Sequence, residues 1–255
     1  PFSGHGTVVH THCVSALLND IIVFSIPHKN NTHIIYNHDM FLCLMLLLAE
    51  FAIIAHSTPS TMYVFAYSWT PGFCNDQSYP GCLDPQPYWE SNFTLHGLWP
   101  QYTENGYPDF CSNEPFDNTI PQQIGESTMI QYWPNVKEYP SSSSYDSFWE
   151  HEWTKHGTCT GLTQYQYFDT AIQLTNRIPT PTVLYDSIGK NMSANVLREN
   201  MGGSDYVSLQ CSNQLLNGLY TCWNQSDSIP TTQIKCPTSV LKEDTCTKSD
   251  DILII

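Results

Sequence analysis

The chain has 255 residues, 41% of them apolar, and nine Lys and Arg stand against twenty-four Asp and Glu for a formal net charge of −15. That balance excludes a basic stripe built to track a long polyanion, since such surfaces need clustered Lys and Arg. The apolar content suffices for one core, and no repeat or low-complexity tract divides the chain.

Residue 1 is Pro, and Met40 is the first methionine. Residues 1–39 carry scattered His and Asn without periodicity and are expected to be a non-native or disordered leader. Residues 40–57 open on the run Met-Phe-Leu-Cys-Leu-Met-Leu-Leu-Leu-Ala, which Glu50 interrupts. This is short for a membrane span, and Ala55-His-Ser57 suits cleavage, so a secretory signal peptide is expected. Residues 58–255 then form one expected domain with no membrane segment, in which eight Lys and Arg meet twenty-one Asp and Glu. With Cys13 and Cys43 gone, eight cysteines remain. An even number in a secreted chain reads as four disulfides, whose pairing the residues alone leave open.

Within that domain, residues 63–70 alternate aromatic and small side chains, which predicts a strand with one aromatic face, ended by Pro71-Gly72. Residues 75–91, rich in Pro, Gly, Asn and Asp, predict a loop. Residues 92–101 read Asn-Phe-Thr-Leu-His-Gly-Leu-Trp-Pro-Gln. Phe93 and Leu95 alternate with polar neighbours as in a short strand, which Gly97 and Pro100 end. Taken alone, His96 reads as a core histidine. Residues 102–115 are loop again and hold Tyr107 and Cys111; residues 120–136 give a patchy helical pattern. Residues 165–174 predict an amphipathic helix, with Phe168, Ala171, Ile172 and Leu174 turned to the core. Thr182 suits the N-cap of a short helix through Ile188, and Ser193 the N-cap of a helix over 194–200. Residues 206–211 and 219–223 predict strands, joined by a loop containing Asn217-Gly218. From Thr238 onward nothing but Cys246 carries a functional signal. Strands and helices follow one another without a βαβ rhythm, which points to α+β.

The densest chemistry lies in residues 148–159, Phe-Trp-Glu-His-Glu-Trp-Thr-Lys-His-Gly-Thr-Cys. In a helix, His151 and Lys155 are i,i+4 neighbours, as are Glu152 and His156, and the two pairs share a face. That face offers a carboxylate, an ammonium and two imidazoles to one small group. The imidazole proton moves near neutral pH, a lysine suits an anionic centre, and a glutamate can keep a histidine poised. A solvated surface is the bland alternative, but such faces alternate Glu and Lys rather than placing histidines between tryptophans. A zinc-protease helix is disfavoured, because its two histidines stand four apart and these stand five apart. No metal and no cofactor is expected.

The two histidine-centred segments together resemble the ribonuclease T2 family. Its members carry Phe-x-x-His-Gly-Leu-Trp-Pro and, later, Trp-x-His-Glu-Trp-x-Lys-His-Gly-x-Cys, both present here in that order. The resemblance spans residues 63–246 and leaves the first 60 outside. It implies a central antiparallel sheet flanked by helices and stapled by Cys74–Cys82, Cys111–Cys159, Cys211–Cys246 and Cys222–Cys236. It also implies a secreted or vacuolar endoribonuclease, acting on single-stranded RNA as a monomer and leaving DNA untouched. The reaction is a transesterification through 2′,3′-cyclic phosphates, with His156 as base and His96 as acid. Glu152 and Lys155 would stabilise the phosphorane, and His151 would bind phosphate. Trp99, Gln101, Tyr107 and Phe148 would contact bases. Some relatives have Asp directly after Trp-Pro, where this chain has Gln101, which leaves base preference broad. Asn92, Asn191 and Asn224 stand in glycosylation sequons. The rival readings are a catalytically silent binding or storage protein on this fold and a self-incompatibility-type ribonuclease.

Overall fold

Alternating aromatics build the first described strand. The computed structural model describes residues 61–246 and 251–255, so the leader and signal-peptide expectations lie outside the described residues. Thr61–Trp69 form β1, with Tyr63, Phe65, Tyr67 and Trp69 buried on one face. Its other face is also buried, through Met62 and Val64 against Cys222, Cys236 and Val240. Phe93–Tyr102 form β2, Lys190–Ser193 β3, Val207–Ser212 β4, Leu215–Ser226 β5, Ile229–Ile234 β6 and Asp251–Ile254 β7. These seven strands make one sheet with the order β2-β1-β5-β7-β3, while β4 and β6 also pair with β5. Every pairing is antiparallel except β5 with β7, which meet in parallel at Leu215 and Leu253. The fold is α+β.

Helices cover the aromatic face. The short α1 (Thr70–Cys74) follows β1 with Pro71 in its first turn, and α2 (Pro80–Leu83) begins at a proline and interrupts what composition predicts as loop over 75–91. The patchy pattern of 120–136 resolves into α3 (Ile120–Ile124) and α4 (Glu126–Tyr132), separated by Gly125 at φ 111°. Ser147–Lys155 form α5, continued by a 3₁₀ turn over Gly157–Cys159. The long α6 (Gln164–Arg177) starts at Thr163, where a capping box with Gln166 satisfies two end donors. It buries Tyr167, Phe168, Ala171, Ile172 and Leu174. α7 spans Thr182–Tyr185 and α8 Ala194–Asn200. Pro181 rather than Thr182 caps α7, and Ser193 precedes α8 without a side-chain capping bond. α9 spans Thr238–Leu241.

The predicted position of the β4–β5 turn is corrected. The turn is made by Asn213 and Gln214, at φ 49° and 68°. Gly218 lies inside β5, where a Cβ would sit 2.2 Å from the Tyr67 carbonyl oxygen. Asn217-Gly218 therefore serves close strand approach, not chain reversal.

Four disulfides join Cys74–Cys82, Cys111–Cys159, Cys211–Cys246 and Cys222–Cys236, the pairs the family resemblance implies. The buried Arg198 guanidinium pairs with Asp244 at 2.8 Å and donates to the Cys246 carbonyl at 2.8 Å. This holds the chain after β6 against the sheet. Among the described residues no helix is long and apolar enough to cross a membrane.

Candidate active site

His96 reaches the site through a fault in the β1–β2 ladder. Ala66 pairs with Gly97 and Tyr67 with Leu95, so His96 has no partner and bulges out. A bulge re-aims one side chain without disturbing its neighbours' burial. The Trp133 indole N–H fixes the bulge by donating to the His96 carbonyl at 2.9 Å. Gly97 follows because there is no room for more. A Cβ there would lie 2.1 Å from Trp99 Nε1 and 2.3 Å from Glu152 Oε2.

Those two atoms are hydrogen-bonded, with Trp99 Nε1 donating to Glu152 Oε2 at 2.8 Å. Trp99 in turn separates the two key imidazoles. Its ring stacks on His156 at 5.2 Å and 28° and meets His96 edge-on at 5.2 Å and 81°. His156 is the C-cap of α5, where the chain leaves the helix, and Gly157 lets the next turn close over the Trp153 ring. A Cβ on Gly157 would meet that ring at 2.3 Å. His151 lies 6.5 Å from His156, ring to ring.

The helical pairing expected for α5 is corrected in one respect. Glu152 is buried, and its hydrogen-bond partner is Trp99 rather than a histidine. His151 is exposed and Lys155 half-buried. Glu152 thus supports the site from beneath while His151 and Lys155 border it, although all four residues line one cleft with His96.

Burial governs the protonation of this group. Loss of water lowers the His156 pKa to about 3, with Lys155, His151 and His96 adding repulsion. The same loss lowers His96 to about 4, helped by His151, Lys137 and Lys155. His151 is shifted down as well, by burial and then by Lys155. Glu152 moves the other way, up to about 8, because burial outweighs the Trp99 bond and the Lys155 charge. At neutral pH the site therefore holds neutral imidazoles above a neutral carboxylic acid. His156 Nδ1 is buried without a hydrogen-bond partner among the described residues.

Two clefts meet at His96 and His151. One, of about 340 Å³, is lined by Trp99, Gln101, Tyr107, Lys155 and His156 among others. Tyr107 stands 51% exposed on the loop after β2, 6.4 Å from the His156 ring and 5.8 Å from Lys155 Nζ. The Cys111–Cys159 disulfide and the Phe110 N–H, donating to the Lys155 carbonyl at 3.0 Å, tie that loop to the end of α5. The second cleft, of about 450 Å³, is lined by Ser68, Thr94, Asn135, Lys137 and Phe148 among others. Phe148 meets His96 edge-on at 5.5 Å. The structure therefore gathers His96, Trp99, Gln101, Tyr107, His151, Glu152, Lys155 and His156 around one cleft and puts Phe148 in the other.

Val240 and Glu243, from the segment read as silent, also line the first cleft. The signal for them lay in the Cys222–Cys236 pairing, which pins the start of that segment to β5. Asn135 and Lys137 follow α4 and carry no motif. The three sequon asparagines differ. Asn191 is exposed, whereas Asn92 Nδ2 donates to the Tyr88 carbonyl at 3.1 Å and Asn224 Oδ1 accepts from the Thr231 and Thr232 amides at 3.2 and 2.7 Å.

The model of the Ribonuclease T2 family matches residues 60–236. Ribonuclease 1 of Arabidopsis thaliana is 32% identical over 217 residues, covering 77% of this chain and 90% of that one. Extracellular ribonuclease LE of Solanum lycopersicum is 28% identical over 221 residues, covering 78% and 90%. Among solved structures, ribonuclease MC1 from bitter gourd seeds matches with a TM-score of 0.59 at 25% identity, covering 76% of this chain and all of that one. A ribonuclease MC1 mutant in complex with 5′-GMP matches with a TM-score of 0.60 at 25% identity, covering 76% and 99%.

Proposed function

As the chain belongs to the ribonuclease T2 family and is an endoribonuclease, we propose that His156 and His96 cleave single-stranded RNA as base and acid. The observation that carries this is the packing of both imidazoles on Trp99, each 5.2 Å from its ring, with His151 and Lys155 lining the same cleft.

Neutral His156 takes the proton of the ribose 2′-hydroxyl, and that oxygen attacks the adjacent phosphorus. Protonated His96 gives its proton to the departing 5′-oxygen, which leaves a 2′,3′-cyclic phosphate. Water then opens the ring to a 3′-phosphate with the two imidazoles in exchanged roles. Lys155 and His151 meet the negative charge that grows on the phosphoryl oxygens. Glu152, a neutral acid, can donate a hydrogen bond to one of them. DNA lacks the attacking hydroxyl and is not a substrate. Burial lowers both imidazoles, His96 to about 4 and His156 to about 3, so acid pH is what charges the imidazole that serves as acid. The bound phosphate dianion character that develops in the reaction raises both.

The nucleoside on the 5′ side of the scissile phosphate occupies the His156 cleft, with Tyr107 and Trp99 as walls and the Gln101 amide for its base. The nucleoside on the 3′ side leaves through the other cleft, beside Phe148. Residues 58–255 act as one monomeric catalytic domain, delivered by the secretory route to the cell exterior or a vacuole, with Asn191 as the accessible glycosylation site. Relatives include an extracellular and an intracellular ribonuclease, which supports either destination.

The test is digestion of RNA in EDTA at about pH 5. The wild type cleaves and leaves cyclic phosphate ends, while His96→Ala and His156→Ala each lose roughly 10²–10⁴ in rate. Near-normal turnover by either variant refutes the assignment.

A further inference from the structure

The cleft beside Phe148 does not end at His96. Phe73 and Lys137 line it too, and the Phe73 ring stacks on Tyr79 at 6.1 Å with 15° between planes. Lys137 Nζ lies 6.0 Å from the Phe73 centroid and 5.7 Å from that of Tyr79, nearly equidistant from the two. This arrangement is built, not incidental. The Cys74–Cys82 disulfide closes the loop that carries Tyr79 and begins directly after Phe73. The Gly81 N–H donates to the Val136 carbonyl at 2.9 Å, which anchors that loop to the residue before Lys137. A Cβ on Gly81 would meet Val136 Cα at 2.8 Å, so the contact is close.

Charge makes the position unusual. Residues 58–255 hold only eight Lys and Arg, and Lys137 and Lys155 alone line the two clefts. Other cations are engaged elsewhere. Arg198 is buried on Asp244, Lys235 pairs with Asp205, and Arg177 donates to the Pro230 and Thr231 carbonyls. Lys137 has no carboxylate partner within 4.0 Å among the described residues. Glu138, the acid among that cleft's lining residues, accepts a hydrogen bond from Ser142 at 3.0 Å. The Lys137 charge also reaches inward, adding to the downward shift of His96.

We propose that Lys137, held on the Phe73–Tyr79 pair, binds the phosphate on the 3′ side of the leaving nucleoside, and that the exposed Phe73 ring stacks the base beyond it. This third nucleotide subsite rests on the ribonuclease reading and extends it. An ammonium is a point charge suited to a phosphate oxygen, and an aromatic face takes any base. With Lys155 at the scissile phosphate and Lys137 one phosphate downstream, an acidic protein grips RNA at two places without a basic stripe. Phe73, 37% exposed beside the loop disulfide, is then a platform rather than a core residue left uncovered.

The experiment compares a dinucleoside monophosphate, NpN, with NpNp and NpNpN of the same bases, each at the pH optimum of the protein used. In the wild type, kcat/KM rises about five- to tenfold from NpN to NpNp and severalfold again to NpNpN. Lys137→Ala reduces the first ratio to below twofold, and Lys137→Arg restores it. Phe73→Ala keeps the first ratio and loses the second. Added salt shrinks the first ratio more than the second. A wild-type gain below twofold from NpN to NpNp, or a gain that persists in Lys137→Ala, overturns the subsite while leaving the ribonuclease reading intact. Failure of the wild type to cleave even NpN overturns both.

Discussion

His96 and His156 touch the same indole from opposite kinds of backbone. His156 stands at a helix end, set by residues within one turn of it. His96 stands in a sheet, aimed by a bulge that depends on β1 and on Trp133 at the end of α4. The contrast decides what was legible. The α5 segment spells out its chemistry because i,i+4 spacing is local, and the helix indeed begins at Ser147 and yields at His156. Nothing in residues 92–101 announces a bulge: alternation predicts only a short strand that Gly97 and Pro100 end, whereas β2 runs through both to Tyr102. Familiarity of the His-Gly-Leu-Trp-Pro pattern, not its periodicity, made His96 a candidate. The same limit hid Glu243 and Lys137, which reach the clefts through tertiary packing alone, and it hid the burial of Glu152 behind Trp99.

That burial gives the first and largest way to test the helix side. The Glu152 carboxyl binds its proton up to about pH 8 in the folded chain, against 4.5 when free. The folded state thus holds more protons than the unfolded one between those values, and stability falls as pH rises across them. The histidines act oppositely. Their pKa values are lowered, so the unfolded chain takes protons first as pH drops below 6.5, and their contribution is lost toward about 4 and about 3. Glu152→Gln removes only the first effect. Urea unfolding of the variant should match the wild type at about pH 3.5, a unit below the free value of 4.5, where the acid is protonated in both states. The variant should pull ahead by several kcal/mol at about pH 8. Parallel curves for the two proteins would mean that Glu152 is ionised in the folded state.

On the sheet side the matching change is Gly97→Ala. Its Cβ would collide with both the Trp99 indole nitrogen and the Glu152 carboxyl oxygen, at 2.1 and 2.3 Å. Relief requires moving the ring that both imidazoles pack on, and a shift of about 1 Å in a catalytic group lowers rate roughly 10²-fold. The variant should therefore fold and bind nucleotide yet lose about two orders of magnitude in kcat. An unchanged kcat would show that Trp99 is not what holds the imidazoles in register.

Gly157→Ala is the helix-side counterpart, with a smaller and different outcome. Its Cβ meets the buried Trp153 ring at 2.3 Å, away from the cleft. Overpacking there should lower stability by about 1–3 kcal/mol. Thermal unfolding detects that loss, while kcat of the folded fraction stays closer to wild type than in Gly97→Ala. Equal loss of kcat in both variants would erase the distinction between the two glycines that follow the two histidines.

The smallest effect lies farthest from the chemistry, at the β4–β5 turn, and it tests why the turn was misplaced. Asn-Gly is the strongest two-residue hairpin signal, so Asn217-Gly218 drew the prediction. The sheet overrules it because β5 must pass Tyr67 too closely for any Cβ at 218, and only Gly permits that. Reversal falls instead to Asn213 and Gln214, both with positive φ, although Gln has no special tolerance for that region. Gln214→Gly relieves a left-handed residue at the expense of a more flexible unfolded chain, and should stabilise the fold by about 0.5–1 kcal/mol. Gly218→Ala should destabilise it by more than that gain. If Gln214→Gly weakened the protein instead, the turn would owe its position to contacts of the Gln214 side chain rather than to the demand that Gly218 places on the strand beside it.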